Sequence, residues 1–167
     1  MKTIIALQPD ARFVAYAVFK GTTLVDKGSK HIALRKPLLQ RTYQNAMPFF
    51  RDLIEHHKPD VVVLPNPTHT PETGRNRFLR AMKYETGRAR HKYKVVSYSR
   101  KDIREMFKGF LKAGRAGKDS TMQLLTKWFP ELLEFLPAPR RAWDPPSYWV
   151  RMFDAVSLAV TYLHHNE

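Results

Sequence analysis

The sequence contains no cysteine and lacks any long apolar run. The absence of cysteine excludes disulfide scaffolds, thiolate zinc sites and cysteine nucleophiles. No uninterrupted apolar segment approaches the roughly 18 residues that a membrane-spanning helix needs. The first apolar run is also too short for the core of a secretory signal. We therefore expect a soluble, cytoplasmic protein that has no membrane partner.

Acidic residues are scarce as well. The 167 residues include 15 Asp and Glu against 29 Lys and Arg, which gives a formal net charge of +14. A hydrophobic content of 43% supplies enough apolar surface for folding, and the length fits one domain over residues 1–167. A folded chain with this charge is typical of a protein that binds a polyanion, most simply nucleic acid. A generally basic protein without such a partner is the alternative.

Local patterns predict five strands and five helices. Apolar or β-branched runs at residues 3–7, 13–19 and 22–32 have short connections, so they predict an antiparallel three-strand meander. Further strands are expected at residues 60–64 and 94–98, where intervening helices allow parallel pairing. Helices are expected over residues 38–57, 73–86, 99–111, 118–128 and 147–165.

The predicted order of elements is βββ-α-β-α-β-α-α-α. This order indicates an α/β domain with a mixed sheet, in which parallel strands extend an antiparallel meander and helices cover both faces. It is the element order of the ribonuclease H-like fold.

Four segments, in the same order, resemble the RuvC-type Holliday junction resolvases of that fold. Residues 7–19, LQPDARFVAYAVF, resemble the first strand of the family, and residues 58–64, KPDVVVL, resemble its fourth strand. Residues 95–118 are similar to the strand, helix and glycine-rich turn that follow, and residues 154–164, DAVSLAVTYLH, to the closing helix. The resemblance covers nearly the whole chain and implies a role in DNA recombination.

The resemblance implies phosphodiester cleavage by two Mg²⁺ ions held by carboxylates. This sequence departs from the family at most of those ligand positions. Gln8 occupies the first-strand aspartate position, and Pro65, or Asn66 with a one-residue shift, occupies the fourth-strand glutamate position. Arg151 stands one helical turn before Asp154, which is the one family acid retained. We therefore expect a pseudo-nuclease without a resident cofactor, whose metal-dependent activity is lost or strongly weakened.

Two interpretations of Asp154 remain open. Its spacing from Arg151 places both residues on one helix face, which predicts a salt bridge in place of a metal site. Alternatively, Asp10 or Asp144 replaces the lost ligands, and the chain is a divergent, active Mg²⁺-dependent endonuclease. Asp10 follows Gln8 by two residues and would share its strand face, but it is also typical of a turn after proline.

Positive charge is concentrated in residues 67–118, which carry +11 of the net charge. Clustered Lys and Arg bind phosphates with release of counterions. The resemblance places Arg104 and Lys118 at DNA-contacting lysine positions of the family and implies branched or duplex DNA as the partner. It also implies a homodimer through the aromatic-rich segments that precede and open the last helix, with burial of those side chains in the monomer core as the alternative. A solvated basic loop is the alternative for part of this segment. The candidate DNA-binding residues are Arg75, Arg77, Arg100, Lys101, Arg104, Lys108, Lys112, Arg115 and Lys118.

Overall fold

A computed structural model describes residues 1–9, 13–31, 39–67, 79–85, 91–111, 117–137 and 149–166. Its centre is a five-stranded mixed sheet with the strand order β3-β2-β1-β4-β5. The strands are β1 (Thr3–Pro9), β2 (Phe13–Lys20), β3 (Thr23–His31), β4 (Val61–Pro65) and β5 (Lys94–Tyr98).

The first three strands form the antiparallel meander that the sequence predicts. Ile5 pairs with Val18 between β1 and β2, and Lys20 pairs with Thr23 across a two-residue loop between β2 and β3. Gly21 in that loop has a φ of 58°, which glycine adopts without steric cost. β4 and β5 then extend the sheet on the other side of β1 in parallel register, as expected.

The helices are α1 (Leu39–His57), α2 (Arg100–Lys108), α3 (Lys118–Trp128) and α4 (Val150–His165), with a 3₁₀ helix over Pro130–Phe135 between the last two. Residues 79–85 are also helical. α2 is shorter than the expected segment because Gly109 caps it, its N–H bonding to the carbonyl of Phe107. Residues 73–78, 86 and 147–148 of the expected helices lie outside the described residues.

Helices cover both faces of the sheet, which confirms the predicted α/β class. α4, α2, α3 and the 3₁₀ helix bury one face together with side chains such as Phe19 and Val63. α1 and residues 79–85 bury the other face with Ile5 and Val62. Strands β1 and β4 are therefore covered on both sides, which explains their continuous apolar runs. In the described part of the chain, no helix is long and apolar enough to cross a membrane.

Candidate nucleic-acid interface

A pocket of about 770 Å³ lies at the carboxyl ends of β1, β4 and β5. These three strands run parallel, so their carboxyl ends meet at one edge of the sheet, where open α/β folds bind ligands. The amino-terminal halves of α2, α3 and α4 complete the pocket. Its lining residues are Gln8, Pro65, Asn66, Pro67, Tyr98, Ser99, Arg100, Lys101, Ile103, Arg104, Phe107, Gly117, Thr121, Met122, Arg151, Phe153, Asp154 and Ser157.

The structure brings together all the described positions at which the resemblance implies metal ligands. Gln8 lies at the end of β1 with only 6% of its surface exposed. Asn66 follows β4, and its N–H donates to the carbonyl of Tyr98 at 2.9 Å, which fixes it beside β5. Gln8 is a neutral amide, whose burial costs less free energy than the burial of a carboxylate, whereas the Asn66 amide is exposed.

Arg151 and Asp154 form the salt bridge that their spacing predicts. The Arg151 Nη1 donates to Asp154 Oδ2 at 3.1 Å, and about a quarter of each side chain is exposed. Among the described residues that line the pocket, Asp154 is the only acidic one. Its charge is therefore balanced within the pocket by a guanidinium on the same helix.

The donor set of this pocket does not fit a pair of Mg²⁺ ions. Hard dications require several anionic oxygens, whereas the described ligand positions supply one carboxylate, two amides and the Arg151 cation. Within residues whose placement is described, no three Asp, Glu, His or Cys side chains come close enough to hold a metal. Asp10 and Asp144, the substitutes in the alternative interpretation, lie outside that part of the chain.

The opposite side of the pocket is basic and belongs to α2. Arg100, Lys101 and Arg104 line the pocket from the first two turns of this helix. Arg100 and Lys101 outnumber Asp102 in the first turn, so a net positive charge adds to the positive end of the helix dipole. This side of the pocket is therefore suited to a phosphate group.

A capping box holds the start of α2 in place. The Ser99 Oγ accepts from the Asp102 N–H at 3.1 Å, and Asp102 Oδ2 accepts from the Ser99 N–H at 2.8 Å. Hydrogen bonds from the Ser99 side chain and backbone lower the pKa of Asp102. The box satisfies backbone donors that the helix leaves unpaired and fixes the adjacent cations at the pocket.

The remaining candidate DNA-binding residues have different positions. Lys108 does not line the pocket but pairs with Glu105 at 3.2 Å on the exposed side of α2. Lys118 begins α3 next to Gly117, which lines the pocket. The other predicted cations lie outside the described residues; they are Arg75, Arg77, Lys112 and Arg115.

Sequence reasoning missed a group of rings that touch one another beside the pocket. Tyr98 stacks on His165 with 5.4 Å between ring centroids, and His165 contacts His164 at 5.8 Å. Phe110 contacts His164 at 5.7 Å and Trp128 at 5.1 Å, both edge to face. We call these five side chains the aromatic ridge. The signal in the sequence was only a scatter of aromatic residues, because the rings come from β5, the turn after α2, α3 and α4.

No family model and no curated protein sequence matches the chain. Solved structures do match it. Thermus thermophilus RuvC in complex with a Holliday junction substrate superposes with a TM-score of 0.69 at 12% identity, over 99% of this chain and 96% of that one. The yeast mitochondrial Holliday junction resolvase gives 0.67 at 10% identity, over 96% and 78% of the two chains. Fowlpox virus resolvase with Holliday junction DNA gives 0.61 at 15% identity, over 98% of each. The chain therefore has the ribonuclease H-like fold of the RuvC-type resolvases.

Proposed function

We propose that this chain binds branched or duplex DNA and has lost, or strongly weakened, the metal-dependent nuclease activity of the proteins that share its fold. The observation that carries the proposal is the Arg151–Asp154 ion pair, which lies in the same pocket as the basic first turns of α2. The pocket thus combines cations that attract phosphate with a ligand set that is unsuited to metal.

DNA binding is supported by the charge and geometry of α2. Arg100, Lys101 and Arg104 lie on one side of a single pocket, and a guanidinium can hold a phosphate through two parallel hydrogen bonds. Two of the structures that share the fold contain Holliday junction DNA. The net charge of +14 adds a long-range attraction for any nucleic acid.

Loss of cleavage is supported by the charge at the ligand positions. Two-metal cleavage needs carboxylates that neutralise two dications and hold them about 4 Å apart. Arg151 places a positive charge beside Asp154, the one carboxylate among the described residues that line the pocket. Since like charges repel, this guanidinium disfavours a dication in the same space.

A cleavage assay tests the nuclease part of the proposal. The protein is incubated with a labelled four-way junction and a linear duplex in Mg²⁺ or Mn²⁺, and the expected result is uncut DNA. Metal-dependent nicking that Asp154→Asn abolishes would contradict the proposal. If Asp10→Asn or Asp144→Asn also abolished nicking, the chain would be an active endonuclease with relocated ligands.

A binding assay tests the DNA part. The Arg104→Ala/Lys118→Ala variant is expected to bind a four-way junction at least about tenfold more weakly, because two phosphate contacts are lost. The matched control is Lys2→Ala/Lys20→Ala, which removes the same charge at the opposite end of β1 and β2. Equal affinity of the two variants would show that the basic side of the pocket is not the DNA site.

A further inference from the structure

We propose that the aromatic ridge is a stacking platform for unpaired nucleobases, so that the protein prefers DNA in which a single-stranded segment adjoins a duplex. This inference rests on the proposed DNA binding by α2 and adds a second subsite with a different chemistry. Bases stack on aromatic side chains whatever their sequence, because every base has a π face.

The two outer rings of the ridge are unusually exposed. Phe110 has 51% of its surface exposed and Trp128 has 37%, although both are large apolar side chains. They contact each other edge to face, and Trp128 also stacks on the buried ring of Phe107 with 6.2 Å between centroids. Solvent therefore reaches only part of each ring. Exposed apolar surface of this kind costs free energy that the fold recovers only when another group covers it.

The ridge is continuous with the pocket through Tyr98. The Tyr98 side chain lines the pocket and also stacks on His165 at the inner end of the ridge. A strand whose phosphates lie against Arg100 and Arg104 would therefore meet the Tyr98 ring in the same pocket. Single-stranded nucleic acid is bound by this combination of cations and aromatic rings.

Charge favours nucleic acid over a second copy of this chain as the occupant. Lys108 immediately precedes the Gly109–Phe110 turn, and Lys127 immediately precedes Trp128. Cations therefore lie next to the ridge residues in the chain. A second copy would bring another net charge of +14 to this already basic surface. A polyanion with flat rings complements both the charge and the shape.

Fluorescence anisotropy with two labelled DNAs tests the inference. One is a blunt duplex, and the other is the same duplex with a short oligothymidine overhang. The wild type is expected to bind the overhang DNA at least about tenfold more tightly, as expected for one stacked base. Phe110→Ala should abolish that preference and leave blunt-duplex affinity unchanged, whereas Phe110→Tyr should retain it.

Leu133→Ala is the matched control, since Leu133 is another exposed large apolar residue but is not part of the ridge. Thermal denaturation of each variant verifies that it folds. The inference would be overturned if the wild type bound both DNAs with equal affinity. It would also be overturned if Phe110→Ala lowered the affinity for both DNAs by the same factor. Either result would leave the proposed function intact. Absence of binding to either DNA would overturn both. A Phe110→Ala variant that binds both DNAs normally but loses self-association in sedimentation velocity would make the ridge a subunit interface, which also overturns the inference.

Discussion

Arg151 is the residue whose chemistry most separates this pocket from a metal centre. It supplies a cation one helical turn from Asp154, and Gln8 supplies an amide from the end of β1. The double variant Gln8→Asp/Arg151→Asp places three carboxylates around the same space. We expect it to bind Mn²⁺ with a Kd of roughly 10⁻⁴–10⁻³ M, in the range of weak oxygen-ligand sites, by isothermal titration calorimetry.

Arg151→Gln is the control for that experiment, because it removes the cation without adding a carboxylate. It should bind no Mn²⁺, as should the wild type. If the double variant also bound none, the ends of β1 and α4 would be too far apart to share a metal.

The hydroxyl of Tyr93 lowers the stability of the folded state. Its hydroxyl is buried and finds no hydrogen-bond partner among the described residues. A buried unpaired hydroxyl destabilises the folded state. Tyr93→Phe is therefore expected to raise the free energy of unfolding by about 1 kcal/mol at neutral pH, as measured by urea denaturation, and a loss of stability would show that the hydroxyl has a partner.

The same side chain predicts a dependence on alkaline pH. Burial, and secondarily the charge of Glu85, raises the pKa of Tyr93 to about 12 from the usual 10.0. Because the folded-state pKa is the higher one, ionisation of Tyr93 favours the unfolded chain. The free energy of unfolding is therefore unaffected by this group below pH 10 and falls as the pH rises toward 12. Tyr93→Phe should lose less stability than the wild type across this interval.

At the level of elements, α2 depends on its capping box. Ser99→Ala removes both the side-chain acceptor for the Asp102 N–H and the hydroxyl that donates to Asp102. We expect a loss of about 1 kcal/mol in the free energy of unfolding at neutral pH, which is typical of an N-cap serine. Thr126→Ala, in an exposed turn of α3, provides a control in which no N-cap is removed.

The cap also has an acid dependence. Because hydrogen bonds from Ser99 hold the pKa of Asp102 below its usual 3.8, their stabilisation is present above pH 3.8 and is lost as the pH falls through the lowered value. The difference in stability between wild type and Ser99→Ala should therefore shrink in strong acid. A constant difference would mean that Asp102 stays bound to the cap when it is protonated.

The sequence predicted most elements because their apolar patterns are local. β1 and β4 were predictable as continuous apolar runs, and the ion pair on α4 was predictable from the spacing of Arg151 and Asp154. The end of α2 was placed three residues too late, since Phe110 and Leu111 continue its apolar pattern. In the structure both residues follow the cap at Gly109, which leaves Phe110 exposed. The ridge and the pocket could not be predicted, because their side chains meet only after the sheet has formed.

For the whole molecule, the positive charge predicts strong salt dependence. Three cations of α2 line the pocket, and each phosphate contact contributes about −0.9 to the slope of log K against log salt concentration. The slope for a four-way junction should therefore be about −2.7 or steeper, measured by anisotropy at several salt concentrations. Arg104→Gln should reduce it by about 0.9, whereas Lys2→Gln, at the far end of β1, should leave it unchanged.

The pocket lies between the central strand β1 and the helix α2, which follows the outermost strand β5. We expect these two sides to differ in their protection against amide hydrogen exchange. β1 has a hydrogen-bonded neighbour on each side and a helical layer on each face, so its amides exchange only when the whole domain opens. β5 is the outermost described strand on its side of the sheet, so we expect β5 and α2, which follows it, to open at lower free energy. The Gln8 side therefore acts as a fixed reference surface, while the α2 side and the adjoining rings can adjust around a ligand. DNA binding should slow deuterium uptake in α2 far more than in β1.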